Sequence, residues 1–150
     1  MTQRNYYNDL PYYYNGWPRL ADWTWGINVE LLKLGMKAVE EAAVQGTWNQ
    51  KTWRCGTSMC FAGWVIEISG REWVPGTQHV VATPEEIADG DAFYSDGGAM
   101  AMAPSAVAQD LLGITSTWAN TLFHENNTLN DLRHMVDSLT RIAERSLEEA

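Results

Sequence analysis

The chain has 150 residues, 45% hydrophobic and 19% charged, a size and balance that suit one folded domain with its own apolar core and exclude intrinsic disorder. Its formal charge of −9 and isoelectric point near 4.6 argue against direct nucleic-acid binding, because following phosphates takes clustered cations and the ten Lys and Arg residues are scattered. No window is apolar enough for a membrane span and no basic-then-apolar leader opens the sequence, so a cytoplasmic protein that does not enter membranes is expected.

Residues 1–27 read as an irregular aromatic-rich N-terminal arm and residues 28–150 as a single helical domain. The arm's Tyr6, Tyr7, Tyr12, Tyr13, Tyr14, Trp17, Trp23 and Trp25 supply eight of the seventeen aromatic residues, with no helical or strand period running through them. Rings that cannot form a core of their own must pack on the domain, on another subunit or on a partner. Tyr12, Tyr13, Tyr14, Trp17, Trp23 and Trp25 are therefore the candidate binding residues, Tyr and Trp being enriched where binding energy concentrates.

Residues 28–44 repeat Val29, Leu32, Met36, Val39 and Ala43 at three- and four-residue steps, which predicts a helix capped by Asn28 and ended by Gly46. Residues 58–69 are apolar nearly all round, which predicts a buried central helix with Thr57 as its N-cap, Gly63 admitting a neighbouring backbone and Gly70 closing it. A Pro75-Gly76 turn between Trp73-Val74 and Gln78-His79-Val80-Val81 predicts a minor hairpin. Thr83-Pro84-Glu85-Glu86 opens a short helix, and residues 89–103, rich in Gly, Asp, Ser and small residues, read as a loop.

Residues 104–112 predict a helix stopped by Gly113, Thr115 caps a second short one ending at Leu122-Phe123, and the pair forms a helical hairpin. Thr128 with Asp131 opens the last helix, whose Leu129, Leu132, Val136, Leu139, Ala143 and Leu147 share one face. The fold expected is mainly α: a compact domain of five or six helices round the central one, with a minor β-hairpin.

The densest chemical signal is the run holding Trp53, Cys55, Gly56, Thr57, Cys60, Gly63 and Trp64. Three readings of it stand side by side. It can be a capping turn whose thiols pack as small hydrophobes. It can be half of a metal site, which would need His79 or His124 to complete four ligands. It can be a reactive thiolate at a helix N-terminus beside Arg54, the setting a nucleophile needs. The capping turn is the expectation taken forward, with no metal, no cofactor and no catalytic residue assigned. His134 reads as exposed, and the Asp and Gly residues of 89–98 as a solvated loop lacking the ligand spacing of a calcium site.

The pattern Trp-x-Cys-Gly-Thr-x-x-Cys-x-Ala-Gly-Trp across residues 53–64 resembles a segment of small proteins of bacteriophages, especially those of actinobacteria, and of some bacteria. In that family a Leu-Leu-Gly-Leu/Ile-Thr stretch often follows and leads to Leu-Phe, similar to Leu111 to Thr115 and Leu122-Phe123 here. The resemblance spans roughly residues 29–141 and implies a shared domain, with no activity to carry over; the arm and residues 89–103 depart from the plainer members. Together with the acidic charge and the arm, it implies a phage-type accessory protein of the host bacterial cytosol, acting by protein–protein interaction and modulating a host protein. The alternatives are a metal-dependent or thiol-based enzyme centred on Cys55 and Cys60, and a self-assembling structural protein, which would be a homo-oligomer.

Overall fold

The structure is a computed structural model that describes residues 26–53, 59–95 and 98–149, and within these it is mainly α: six helices and a three-stranded sheet. Residues 1–25, 54–58, 96, 97 and 150 lie outside it, and with them the arm's Tyr12, Tyr13, Tyr14, Trp17, Trp23 and Trp25 and the motif's Cys55, Gly56 and Thr57.

Helix α1 (Val29–Gln45) starts where the Asn28 side chain accepts the Leu31 N–H at 3.0 Å. It stops at Gly46, whose φ of 80° lets the Gly46 and Thr47 amides turn back onto the Ala43 and Ala42 carbonyls, a Schellman closure. Its apolar stripe buries Leu32, Met36, Val39 and Ala42.

Helix α2 (Phe61–Ile68) corrects the sequence reading at its start. It does not begin at Ser58 under a Thr57 cap; Cys60 is the N-cap and its Sγ accepts the Gly63 N–H at 3.5 Å. The reason is non-local. Met59 and Cys60 are drawn into extended pairing with the strand-like stretch after α1: the Met59 N–H bonds the Thr47 carbonyl at 3.0 Å, the Asn49 N–H bonds the Met59 carbonyl at 3.0 Å, and the Cys60 N–H bonds the Thr52 carbonyl at 2.9 Å. Met59 and Cys60, which could have joined the first helical turn, are thereby spent on tertiary bonds. The remaining helix is the most buried element, with Phe61, Ala62, Val65 and Ile66 fully inaccessible, although Ile68 at its end is exposed.

The hairpin expected at residues 73–81 is present. The Val74 N–H bonds the His79 carbonyl at 2.9 Å, Trp73 bridges Val80, and the Thr77 N–H closes the Pro75-Gly76 turn on the Val74 carbonyl at 3.1 Å. The sheet extends further than the hairpin, however, because residues 89–103 are not simply loop. They carry β2 (Phe93–Tyr94) and β3 (Met100–Met102), and β3 pairs antiparallel with β2 on one side and with β1 (Val80–Val81) on the other. Two- and three-residue strands leave too little alternation to be seen in sequence. Helix α3 (Pro84–Ala88) opens with both arms of a capping box between Thr83 and Glu86, and Arg71 pins it to the hairpin, its Nη2 reaching Glu86 Oε1 at 2.8 Å and the Val81 carbonyl at 3.0 Å.

Helix α4 (Pro104–Leu112) ends on Gly113, and α5 (Ser116–Leu122) starts under Thr115, whose hydroxyl accepts the Trp118 N–H at 3.2 Å. Gly113 has a φ of 68° and faces the Gly26 carbonyl so closely that a Cβ there would overlap it, while the Asn28 N–H bonds the Leu112 carbonyl at 2.8 Å. The described chain therefore begins tied to the α4–α5 corner. Helix α6 (Leu129–Glu149) opens with reciprocal bonds between Thr128 and Asp131 and lays Leu132, Val136, Leu139 and Ala143 on the core. Helix α2 lies against α1 and α4, and α6 lies against α1. Each fully buried Leu, Ile, Val or Phe at these contacts contributes about 1.5–3 kcal/mol by leaving water, so the packing of α2 against both α1 and α4 anchors the fold.

Candidate functional site

The motif residues inside the described chain, Trp53, Cys60, Gly63 and Trp64, gather where residues 47–53 cross the start of α2. Gly63 faces the Trp53 carbonyl oxygen with no room for a Cβ, as the sequence predicts of a neighbouring backbone. The Trp53 ring meets Phe123 edge-on, centroids 6.3 Å apart and planes at 83°, joining the motif to the Leu122-Phe123 end of α5. Trp53 of the motif and Phe123 at the end of α5, seventy residues apart in sequence, thus touch.

Gln50 organises this junction. It is buried, yet all its hydrogen-bonding directions are used: its Oε1 accepts from the Phe61 N–H at 3.1 Å and from Trp48 Nε1 at 3.1 Å, and its Nε2 donates to the carbonyls of Leu122 and His124 at 3.2 Å each. One side chain therefore satisfies an amide at the start of α2 and carbonyls at the end of α5. Sequence reasoning gives Gln50 no role, because Phe61, Leu122 and His124 become its neighbours only in the fold.

Beside it a cleft of about 140 Å³ is lined by Gln50, Lys51, Thr52, Trp53, Cys60, Phe123 and Glu125. Cys60 lies on its wall, 2% exposed. Burial pushes its thiol from an ordinary 9.0 up to about 11, outweighing the downward pull of the Gly63 and Ala62 amides. At neutral pH Cys60 is a neutral thiol that caps a helix. A nucleophile at a helix N-terminus needs the opposite shift.

The histidines weighed as metal ligands are engaged elsewhere. His79 lies just before β1, where its Nδ1 is 2.9 Å from the buried Ser95 hydroxyl and its ring meets Phe93 edge-on at 5.0 Å. His124 follows the end of α5, and its Nδ1 accepts the Asn126 N–H at 3.1 Å. His134 is exposed on α6. Among the described residues, no three His, Cys, Asp or Glu side chains gather as a metal site requires. Nor, among these residues, is any helix long and apolar enough to cross a membrane.

A second feature escaped the sequence reading. Helices α1 and α6 run antiparallel and leave a groove along their outer seam, formed by two adjoining hollows of about 600 and 610 Å³ that share Lys37, Glu40 and Arg133. Arg133 Nε bridges the seam to Glu40 Oε2 at 2.8 Å. The signal was present in sequence: Lys33, Lys37, Glu40 and Val44 on α1, and Leu129, Arg133, Val136, Thr140 and Glu144 on α6, each repeat at three- and four-residue steps, the α6 row sharing Leu129 and Val136 with the edge of the apolar stripe. Only the fold brings the two rows together. Thr140 in this groove is 8% exposed, and its hydroxyl has no hydrogen-bond partner among the described residues.

No protein-family model, curated protein or solved structure matches the chain.

Proposed function

We propose that the chain is a phage-type accessory protein that acts by protein–protein contact in the cytosol of a bacterial host, binding and modulating a host protein through its aromatic arm. The observation that carries this reading is how the motif's chemistry is used. Cys60 is buried, neutral and engaged as a cap, and Gly63 seats the Trp53 carbonyl, so the described residues of the segment that most resembles a reactive site serve to fix the start of α2. Function then falls to surfaces, and the arm is the part richest in the residue types that form binding hot spots, with Tyr12, Tyr13, Tyr14 and Trp17 in close succession. The charge of −9 favours a partner with a basic face. The close fit of Gly26 against Gly113 gives the arm a fixed point of departure from the helical domain.

The test compares the full chain with a full-length variant in which Tyr12, Tyr13 and Tyr14 are replaced by Ser. Each is used to capture proteins from a bacterial host lysate, and any enriched protein is then purified and titrated against both. One host protein that binds the natural chain at least tenfold more tightly is the expected result. Equal binding by both chains removes the arm as the contact, and an absence of any specific host protein counts against the reading as a whole.

A further inference from the structure

We infer that the groove between α1 and α6 is a docking surface for a second copy of this chain, joined about a two-fold axis that crosses both helices. The groove is built on two rows of side chains, and the order of charge along them is what selects the occupant. Along α1 the row runs Lys33, Lys37, then Glu40, Glu41, and ends on Val44, which is 88% exposed. It is basic in its first half and acidic in its second. A row so ordered is complementary to its own reverse.

An isologous contact supplies that reverse, because a two-fold axis perpendicular to a helix sets the helix antiparallel to its copy, so that residue i meets j and j meets i. With the axis crossing α1 between Lys37 and Glu40, each Lys37 lies beside the copy's Glu40, and each Lys33 lies alongside the copy's turn from Glu41 to Val44. The antiparallel packing of the two helices fixes what the same axis does on α6. Arg133 is level with Glu40, Leu129 with Val44, and Thr140 with Lys33. The axis therefore crosses α6 next to Arg133 and sets each Arg133 beside the copy's Asp137. One operation pairs opposite charges on both helices.

The monomer leaves the two lysines available. Among the described residues neither Lys33 nor Lys37 has an ion pair, while Arg133 holds Glu40 and Arg141 holds Asp137 as exposed pairs that a copy can extend into a network. The wider charge balance points the same way. Two chains of net charge −9 repel at most orientations, but this groove gathers Lys33, Lys37, Arg133 and Arg141, four of the ten basic residues, against Glu40, Glu41, Asp137 and Glu144. Here two copies meet with no net like charge. Met36 and Val136 give the contact an apolar floor, and the product is a four-helix arrangement of the kind that antiparallel helix pairs form when stacked. This contact uses α1 and α6 alone and is independent of the arm.

The experiment is sedimentation equilibrium on the full chain and two full-length variants, Lys37→Glu and Glu40→Lys, each shown by circular dichroism to remain folded. The natural chain should have twice its 16.9 kDa mass. Lys37→Glu makes the α1 row beside the axis all acidic and Glu40→Lys makes it all basic, so each variant alone should be at least tenfold weaker in self-association. Mixed in equal amounts, they should recover the dimer, since acidic then meets basic at both symmetry-related positions. A natural chain that stays monomeric at 100 µM overturns the inference, that figure being on the order of the weakest affinity a specific contact would show. So does a dimer that both variants form equally well, which would place the contact elsewhere, residues 1–25 included.

Discussion

The Cα of Gly63 lies against the carbonyl oxygen of Trp53, and any side chain on Gly63 would occupy the space of that oxygen. The contact holds the strand-like stretch after α1 across the start of α2, and its other obstacle is Met59, whose Cβ would be 2.8 Å from an added methyl group. Gly63→Ala must push a backbone segment away, so destabilisation of about 3 kcal/mol is expected, the upper range for forced overpacking. Gly46→Ala is the control. It carries the penalty of a positive φ, which Gly63 does not, but has open space around it, so its loss should be about 1 kcal/mol. Urea unfolding of both variants measures the difference.

Gln50 offers a second test of the same junction. Gln50→Leu would leave the Phe61 amide and the Trp48 indole N–H without their present partner, while the Leu122 and His124 carbonyls keep the Asn127 side-chain and backbone N–H groups. A buried polar group stripped of its bond costs about 1–3 kcal/mol, so a loss of about 2 kcal/mol or more is expected in urea unfolding. Hydrogen exchange should quicken at the first turn of α2 and the last turn of α5 together, because one side chain serves both.

Thr140 predicts the opposite sign. Its hydroxyl is buried with no partner among the described residues. Thr140→Val keeps the branched shape and removes the hydroxyl, so a gain of about 1 kcal/mol is expected, the usual scale for an unsatisfied polar group in a protein interior. Thermal unfolding should show a midpoint raised by several degrees.

Alkaline pH should weaken the fold through Cys60. Its thiol is raised from 9.0 to about 11 by burial, so the folded chain keeps a proton that the unfolded chain loses. The contribution is therefore fully present below pH 9 and is lost as pH rises through about 11, on the order of 2–3 kcal/mol at most. Lys and Tyr residues titrate in the same window, so the measurement is a comparison. Cys60→Ser should lose less stability than the natural chain between pH 8 and pH 11, read from urea midpoints.

The helix ends were legible in sequence wherever their chemistry is local. Asn28, Thr83, Thr115 and Thr128 each satisfy an amide three residues away, and Gly46 and Gly113 each stand where the backbone turns left-handed. Helix α2 began late because its first residues bond to residues 47–52, and a Thr before an apolar run carries no sign of that competition. Strands β2 and β3 are too short to show a period, and β3 forms by pairing with strands on both sides. At the site, the contact of Gly63 with a backbone was legible because a glycine inside an apolar helix needs a reason. The role of Gln50 and the groove at Lys37 and Arg133 were not, since each depends on residues more than 70 positions apart.

Whether Cys60 caps a helix or acts as a reagent tests the observation on which the contact-protein reading rests. The direct measurement is alkylation of the native full chain by iodoacetamide at pH 7, with the modified peptides resolved by mass spectrometry. Cys60, buried and neutral, should stay unmodified until denaturant is added, whatever happens at Cys55. Rapid modification of Cys60 in the folded chain would contradict the cap and return the cleft beside Gln50 to the position of a reactive site.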